Sequence, residues 1–196
     1  GKWHLYGGDV PASAFRRIPV PRIHQGGFEH WQGFEYRKDP FDTFYFVDDD
    51  PQPHHIDGYQ TDGLFDLALR ELDRLAPGGA PADGRPFFLA LSVEPPHPPY
   101  QGPRFGENSR RMEPELVEQV ALRPNVNVER LALSKPRLLQ NWRELQSRLA
   151  RSAGVTAAAR RAADEFTDTQ VLQAMLLEYG EAIENVDSNV GRLVDA

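Results

Sequence analysis

A chain of 196 residues, 40% hydrophobic and 26% charged, has the make-up of a folded globular protein long enough to bury a core. A formal charge of −7, with no basic cluster interleaved with aromatics, argues against nucleic acid as a partner. The sequence has no long apolar span for crossing a membrane, and its lack of cysteine excludes disulfides and thiolate metal sites.

The chain opens on Gly1-Lys2-Trp3-His4-Leu5. In an extended segment Lys2 and His4 leave on one face while Trp3 packs on the other, and an ammonium beside an imidazole makes an anion grip. A loop broken by Gly7, Gly8, Pro11, Pro19 and Pro21 follows. The aromatics between Gly26 and Phe34 either line a pocket or pack under a loop, and their density between glycines favours packing. His24 and His30 read as structural or exposed. Phe44 to Val47 is an apolar strand that runs into Asp48-Asp49-Asp50. Such carboxylates are oxygen donors for a hard cation, but Pro51 and Pro53 favour an acidic turn, with His54 and His55 on the surface.

Thr61 is placed to cap a helix carrying Leu64, Phe65, Ala68, Leu69, Leu72 and Leu75 at helical spacing, closed by Gly78. Phe87 to Val93 is an unbroken apolar run, the pattern of a strand buried on both faces. It ends at Pro95, Pro96, Pro98 and Pro99, which hold His97 on a stiff loop. Helix, loop and strand in this order predict an α/β sandwich, and a histidine beyond the carboxyl end of a strand stands where such folds place chemistry. Short helices are expected over 113–120, from a cap at Ser134 through Leu138, Trp142, Leu145 and Leu149, and over 155–166. Thr167 and Gln170 form a capping box for a last helix. Its Leu172, Met175, Leu176, Tyr179, Ile183, Val186, Val190 and Leu193 predict one long buried stripe, flanked by Asp187 and Asn189.

GKWHL, GFEHWQGFEY, GYQTD, PFFLALSVEPPHPPY and YGEAIENVDSNVGRL, in this order, make the chain resemble the middle of a type I sulfatase of the alkaline phosphatase superfamily. The likeness weakens between about residues 107 and 165, which reads as a helical variable insertion. It implies an alkaline-phosphatase-like α/β sandwich, seen in its central part, and hydrolysis of small-molecule or carbohydrate sulfate esters. Phosphodiester or phosphonate monoester hydrolysis on the same scaffold, or anionic-glycan binding without chemistry, are the alternatives. By the same resemblance Lys2 contacts the sulfate group and the nucleophile, His4 hydrogen-bonds the formylglycine hydrate, and His97 stands near the bridging oxygen as proton donor. The three are expected to converge on one hollow.

The resemblance also implies a formylglycine nucleophile and a Ca²⁺ or Mg²⁺ ion. Their donors are expected outside residues 1–196, because the family's Cys/Ser-x-Pro-x-Arg motif and acid pair precede GKWHL. Ser134-Lys135-Pro136-Arg137 nearly spells that motif, but its arginine is one place early and its order is wrong, so a helix cap is the better reading. The chain starts inside one motif and stops inside an amphipathic pattern, so a longer parent is expected to complete the site, its compartment left open. A lone 196-residue chain is expected to be inactive.

Overall fold

The computed structural model describes residues 1–7, 18–36, 39–79, 84–97, 102–103, 114–141, 143–144 and 165–196. The chain divides into two compact units, Gly1–Pro95 with Asn185–Ala196, and Pro96–Glu184. Pro98, Pro99, Trp142, Leu145, Leu149 and residues 107–113 and 145–164 lie outside the described residues.

The first unit is built on a three-stranded antiparallel sheet in the order β1 (Gln32–Gly33), β2 (Thr43–Val47), β3 (His54–Ile56). Its centre is β2, TFYFV, a β-branched and aromatic run that suits a pleated, half-buried surface. Alternation splits its side chains. Phe44 and Phe46 join Val20 and Trp31, whereas Tyr45 packs with Phe34, Ile56 and Leu64 on the other face. His54 and His55 are on the surface as expected, where they pair with Tyr45 and Phe44 as the edge strand, and the His54 ring stacks on Tyr45 at 5.3 Å.

Asp48 turns the chain after β2 with φ of 46°, a left-handed geometry that Asp tolerates because its short side chain bonds locally. Its carboxylate accepts from the Trp31 amide at 2.7 Å and from His30 Nδ1–H at 2.9 Å, with Arg22 at 3.3 Å. His30 Nε2 lies 2.9 Å from the Gln32 side-chain amide nitrogen and 3.5 Å from Glu71 Oε2. The acidic run is therefore a turn, as its sequence favours, and His30 is one of its struts. Burial would raise the Asp48 carboxyl, but the Trp31 amide, His30 and Arg22 outweigh it and hold the group below its ordinary value.

Helix α1 (Gln60–Leu75) lays Leu64, Leu67 and Ala68 on the core. Thr61 does not cap it. Tyr59 occupies the N-cap without a side-chain bond, and Thr61, two residues further on, is fully buried, its hydroxyl without a partner. Gly63 has no room to be anything larger, since a Cβ there would run into the Ile56 side chain. Beyond Leu75 the chain turns through Gly78 at φ 68°, the positive value expected of a terminating glycine.

The apolar run at Phe87 departs from its expected form. It is extended but carries no strand ladder among the described residues, and the Lys2 amide donates to Ser92 O at 3.1 Å. Leu91 and Val93 pack on the cluster of Phe34, Ile56 and Leu64, while Phe88 is 79% exposed. The segment is thus covered on one face rather than two. An apolar run records how much surface wants covering, not which neighbours cover it.

The second unit includes α2 (Pro114–Val117), α3 (Val128–Ser134) and further helix over 136–141 and 143–144, with α4 (Asp168–Val194) belonging to this unit through Glu184 and to the first from Asn185. Its core is Val117, Leu139, Phe166, Val171, Ala174 and Met175. The capping box at the start of α4 forms as expected: the Gln170 amide donates to Thr167 Oγ1 at 3.2 Å and the Thr167 amide to Gln170 Oε1 at 2.9 Å. Helix α3 is capped by Asn127, whose Oδ1 accepts the Arg130 amide at 2.7 Å. Ser134 ends that helix instead of opening the next, its hydroxyl directed to Leu131 O.

The long stripe expected on α4 is displaced. Val171, Ala174, Met175, Glu178 and Ala182 are buried, whereas Leu176, Tyr179, Ile183 and Val190 are each about two-fifths exposed. Apolar residues occupy more than one face of this helix, so periodicity alone did not locate the buried one. Its last turns, in the first unit, are tied to α1 by polar bonds. Asn185 and Asn189 both donate to Asp62 Oδ1, at 2.8 and 2.7 Å, and Arg192 pairs with Asp66 at 2.6 Å. Asn189, expected to flank the core face, is 2% exposed and central to that ladder.

Candidate anion-binding site

Residues Gly1–Trp3 lie between Phe34 and Ser92, and Lys2 and Phe34 form a parallel bridge, with the Trp3 amide on Phe34 O at 2.8 Å and the Phe34 amide on Gly1 O at 3.2 Å. Two residues on along both segments stand His4 and Tyr36, so this register brings His4 beside Tyr36. Lys2 Nζ lies 5.6 Å from the Tyr36 ring centroid, a cation–π distance, and the His4 ring meets the same ring at 5.5 Å. Lys2 and His4 therefore share one aromatic wall. Trp3 turns the other way, edge-on to Phe28 at 6.2 Å and to Trp31 at 6.4 Å.

His4 is exposed and holds φ at 54°, a left-handed value that is uncommon for a residue with a Cβ. The turn after it is tied down by Glu35, whose Oε1 accepts the Tyr6 amide at 3.0 Å and the Gly7 amide at 2.7 Å. Lys2 is not a bare cation. Its Nζ lies 2.5 Å from Glu94 Oε1, with 13% of the Lys2 side chain and 14% of that of Glu94 exposed. An incoming anion meets an ammonium that is already neutralised on one side and has two further N–H donors.

His97 stands in the second unit, exposed, at a bend just after Pro95 and Pro96. In the first unit a cleft of about 670 Å³ opens between α1 and the extended 85–92 segment, floored by Trp3, Phe28 and Trp31. Lys2 contributes to its wall; His4 and Tyr36 do not.

Sequence reasoning passed over Glu35, Tyr36 and Glu94. Glu94 carried a signal, as the only charged residue between Arg85 and His97. Tyr36 and Glu35 carried none, because their role follows from the Lys2–Phe34 register.

The family model named Sulfatase matches residues 1–196, the whole of the chain, and the chain belongs to the sulfatase family. It is at family level a sulfatase-type hydrolase, and its small antiparallel sheet with helices is part of that family's alkaline-phosphatase-like α/β fold. A search of curated proteins and one of solved structures returned no match.

Among the described residues no group of three or more His, Asp or Glu side chains is gathered to hold an ion. Ser134, in the near-miss of the nucleophile motif, is an exposed helix-end residue. No helix among the described residues is long and apolar enough to cross a membrane.

Proposed function

We propose that this chain supplies the sulfate-binding and proton-handling side chains of a sulfuric ester hydrolase, Lys2, His4 and His97, and does not turn over sulfate esters by itself. The observation that carries the reading is the pairing of Lys2 with His4 on the Tyr36 ring within a chain that matches the sulfatase family throughout. Cleavage of the sulfur–oxygen bond to the alcohol needs charge compensation on the sulfuryl oxygens and a proton for the departing oxygen. Lys2 is suited to the first, through the N–H donors that Glu94 leaves open. His97 is assigned the second, its imidazolium proton passing to the bridging oxygen as the alcohol leaves. His4 is assigned to accept a hydrogen bond or a proton from a hydroxyl beside the bound sulfate. A nucleophile and a cation would complete this chemistry.

The test has two arms on the 196-residue chain. Calorimetric titration with inorganic sulfate is expected to show weak binding that falls about tenfold in Lys2→Met, the loss of one charge-assisted contact. Assays with 4-nitrophenyl sulfate and 4-nitrophenyl phosphate are expected to show turnover of neither. Robust sulfate-ester turnover abolished by His97→Ala would overturn the inactivity, and sulfate binding indifferent to both Lys2→Met and His4→Ala would overturn the site.

A further inference from the structure

Glu35 is 2% exposed, and burial of a carboxylate is costly unless its oxygens are engaged. Here one oxygen is engaged twice and the other not at all. Oε1 takes the amides of Tyr6 and Gly7, while Oε2 is buried without a hydrogen-bond partner. The two amides belong to the second and third residues after His4, the non-glycine residue whose backbone is held left-handed.

The segment that carries the carboxylate also carries the rest of the support. Phe34 before it forms the bridge to Lys2, and Tyr36 after it is the ring against which Lys2 and His4 both lie. We propose that Glu35 is a positioning residue for His4: a buried acceptor that ties the Tyr6–Gly7 backbone and so fixes the His4 imidazole against Tyr36. This deepens the reading of Lys2 and His4 as an anion site and rests on it.

The geometry asks for one oxygen at one point and makes no use of the second. A glutamine delivers that oxygen with both its lone pairs and places its NH₂ where Oε2 now has no partner. The negative charge is thus dispensable, whereas the acceptor is not.

The test uses the full chain and reads His4 directly. In wild type, hydrogen exchange at the Tyr6 and Gly7 amides is expected to be slow and the His4 ring resonances to be shifted by the Tyr36 ring current. Glu35→Ala is expected to speed exchange at both amides at least tenfold and to collapse the His4 shift toward that of an unstructured histidine. Glu35→Gln is expected to restore both, with sulfate affinity within about twofold of wild type. If Glu35→Ala leaves exchange and the His4 resonances as they were, the clamp is overturned. If Glu35→Gln fails to restore them in a folded chain, the charge matters and the proposal is overturned as well; this arm decides should Glu35→Ala not fold. Because these readouts need no ligand, a chain that passes them yet binds no sulfate refutes the anion site and leaves the clamp standing.

Discussion

The Lys2–Glu94 pair sets the strength of the candidate site. A carboxylate 2.5 Å from the ammonium competes directly with any anion for the same charge, and in a half-buried setting that competition is screened less than at the surface. Glu94→Gln keeps a hydrogen-bond acceptor while removing the rival charge. Its expected effect is tighter sulfate binding, by about three- to tenfold, read in the same calorimetric titration; equal affinity in the two proteins would mean that the ammonium is not where sulfate docks. Asp48 makes a prediction of opposite character, about acid. Its carboxyl is held below the unfolded value by the Trp31 amide, His30 and Arg22, so the folded state binds fewer protons at this position than the unfolded chain. The stabilisation is complete above the ordinary aspartate range, about pH 4, and is lost as pH falls through the lower folded value. Asp48→Asn, which keeps an acceptor for the Trp31 amide and tolerates the left-handed turn, is expected to flatten the decline in the urea midpoint below pH 4. An unchanged acid limb would remove Asp48 from that account.

Elements in this chain are held by close fits as much as by propensity, and Gly63 shows the difference. Glycine inside a helix costs about 1 kcal/mol relative to alanine, so Gly63→Ala would stabilise α1 were propensity to decide. Its Cβ would meet the buried, β-branched Ile56, and overpacking of that kind costs about 1–3 kcal/mol. The expected result is net destabilisation of about 1–2 kcal/mol in urea unfolding, and a stabilised variant would show that Ile56 can yield. The same contrast explains which elements were legible in the sequence. The strand Thr43–Val47, the helix through Leu64 and Ala68, and the Thr167–Gln170 capping box were readable because their signals are local. The Phe87–Val93 segment and the buried face of α4 were not. The first needs to know its neighbours, and the second carries apolar residues on several faces, so that Ala174 and Ala182 rather than Leu176 and Ile183 are buried.

At the scale of the whole molecule, family membership was legible from motif order, whereas the wiring of the candidate site was not: Lys2 and His4 could be named from spacing, but Tyr36, Glu35 and Glu94 enter through pairing between distant segments. The global charge adds one further consequence. With a net charge of −7 and Lys2 neutralised by Glu94, a sulfate ion far from the site feels repulsion, and attraction begins only at contact. Salt should then act in an unusual sense. Raising ionic strength from about 0.01 M to about 0.15 M shortens the Debye length from about 30 Å to about 8 Å, which suppresses the long-range repulsion more than the short contacts. Sulfate binding to the wild-type chain is therefore expected to hold level or strengthen by up to about twofold over that range. In Glu94→Gln, where the ammonium is unopposed, it is expected to weaken, because screening of a local positive charge then dominates. A titration series in sodium chloride separates the two cases, and a steep loss of affinity with salt in the wild type would mean that the site presents a positive field despite Glu94.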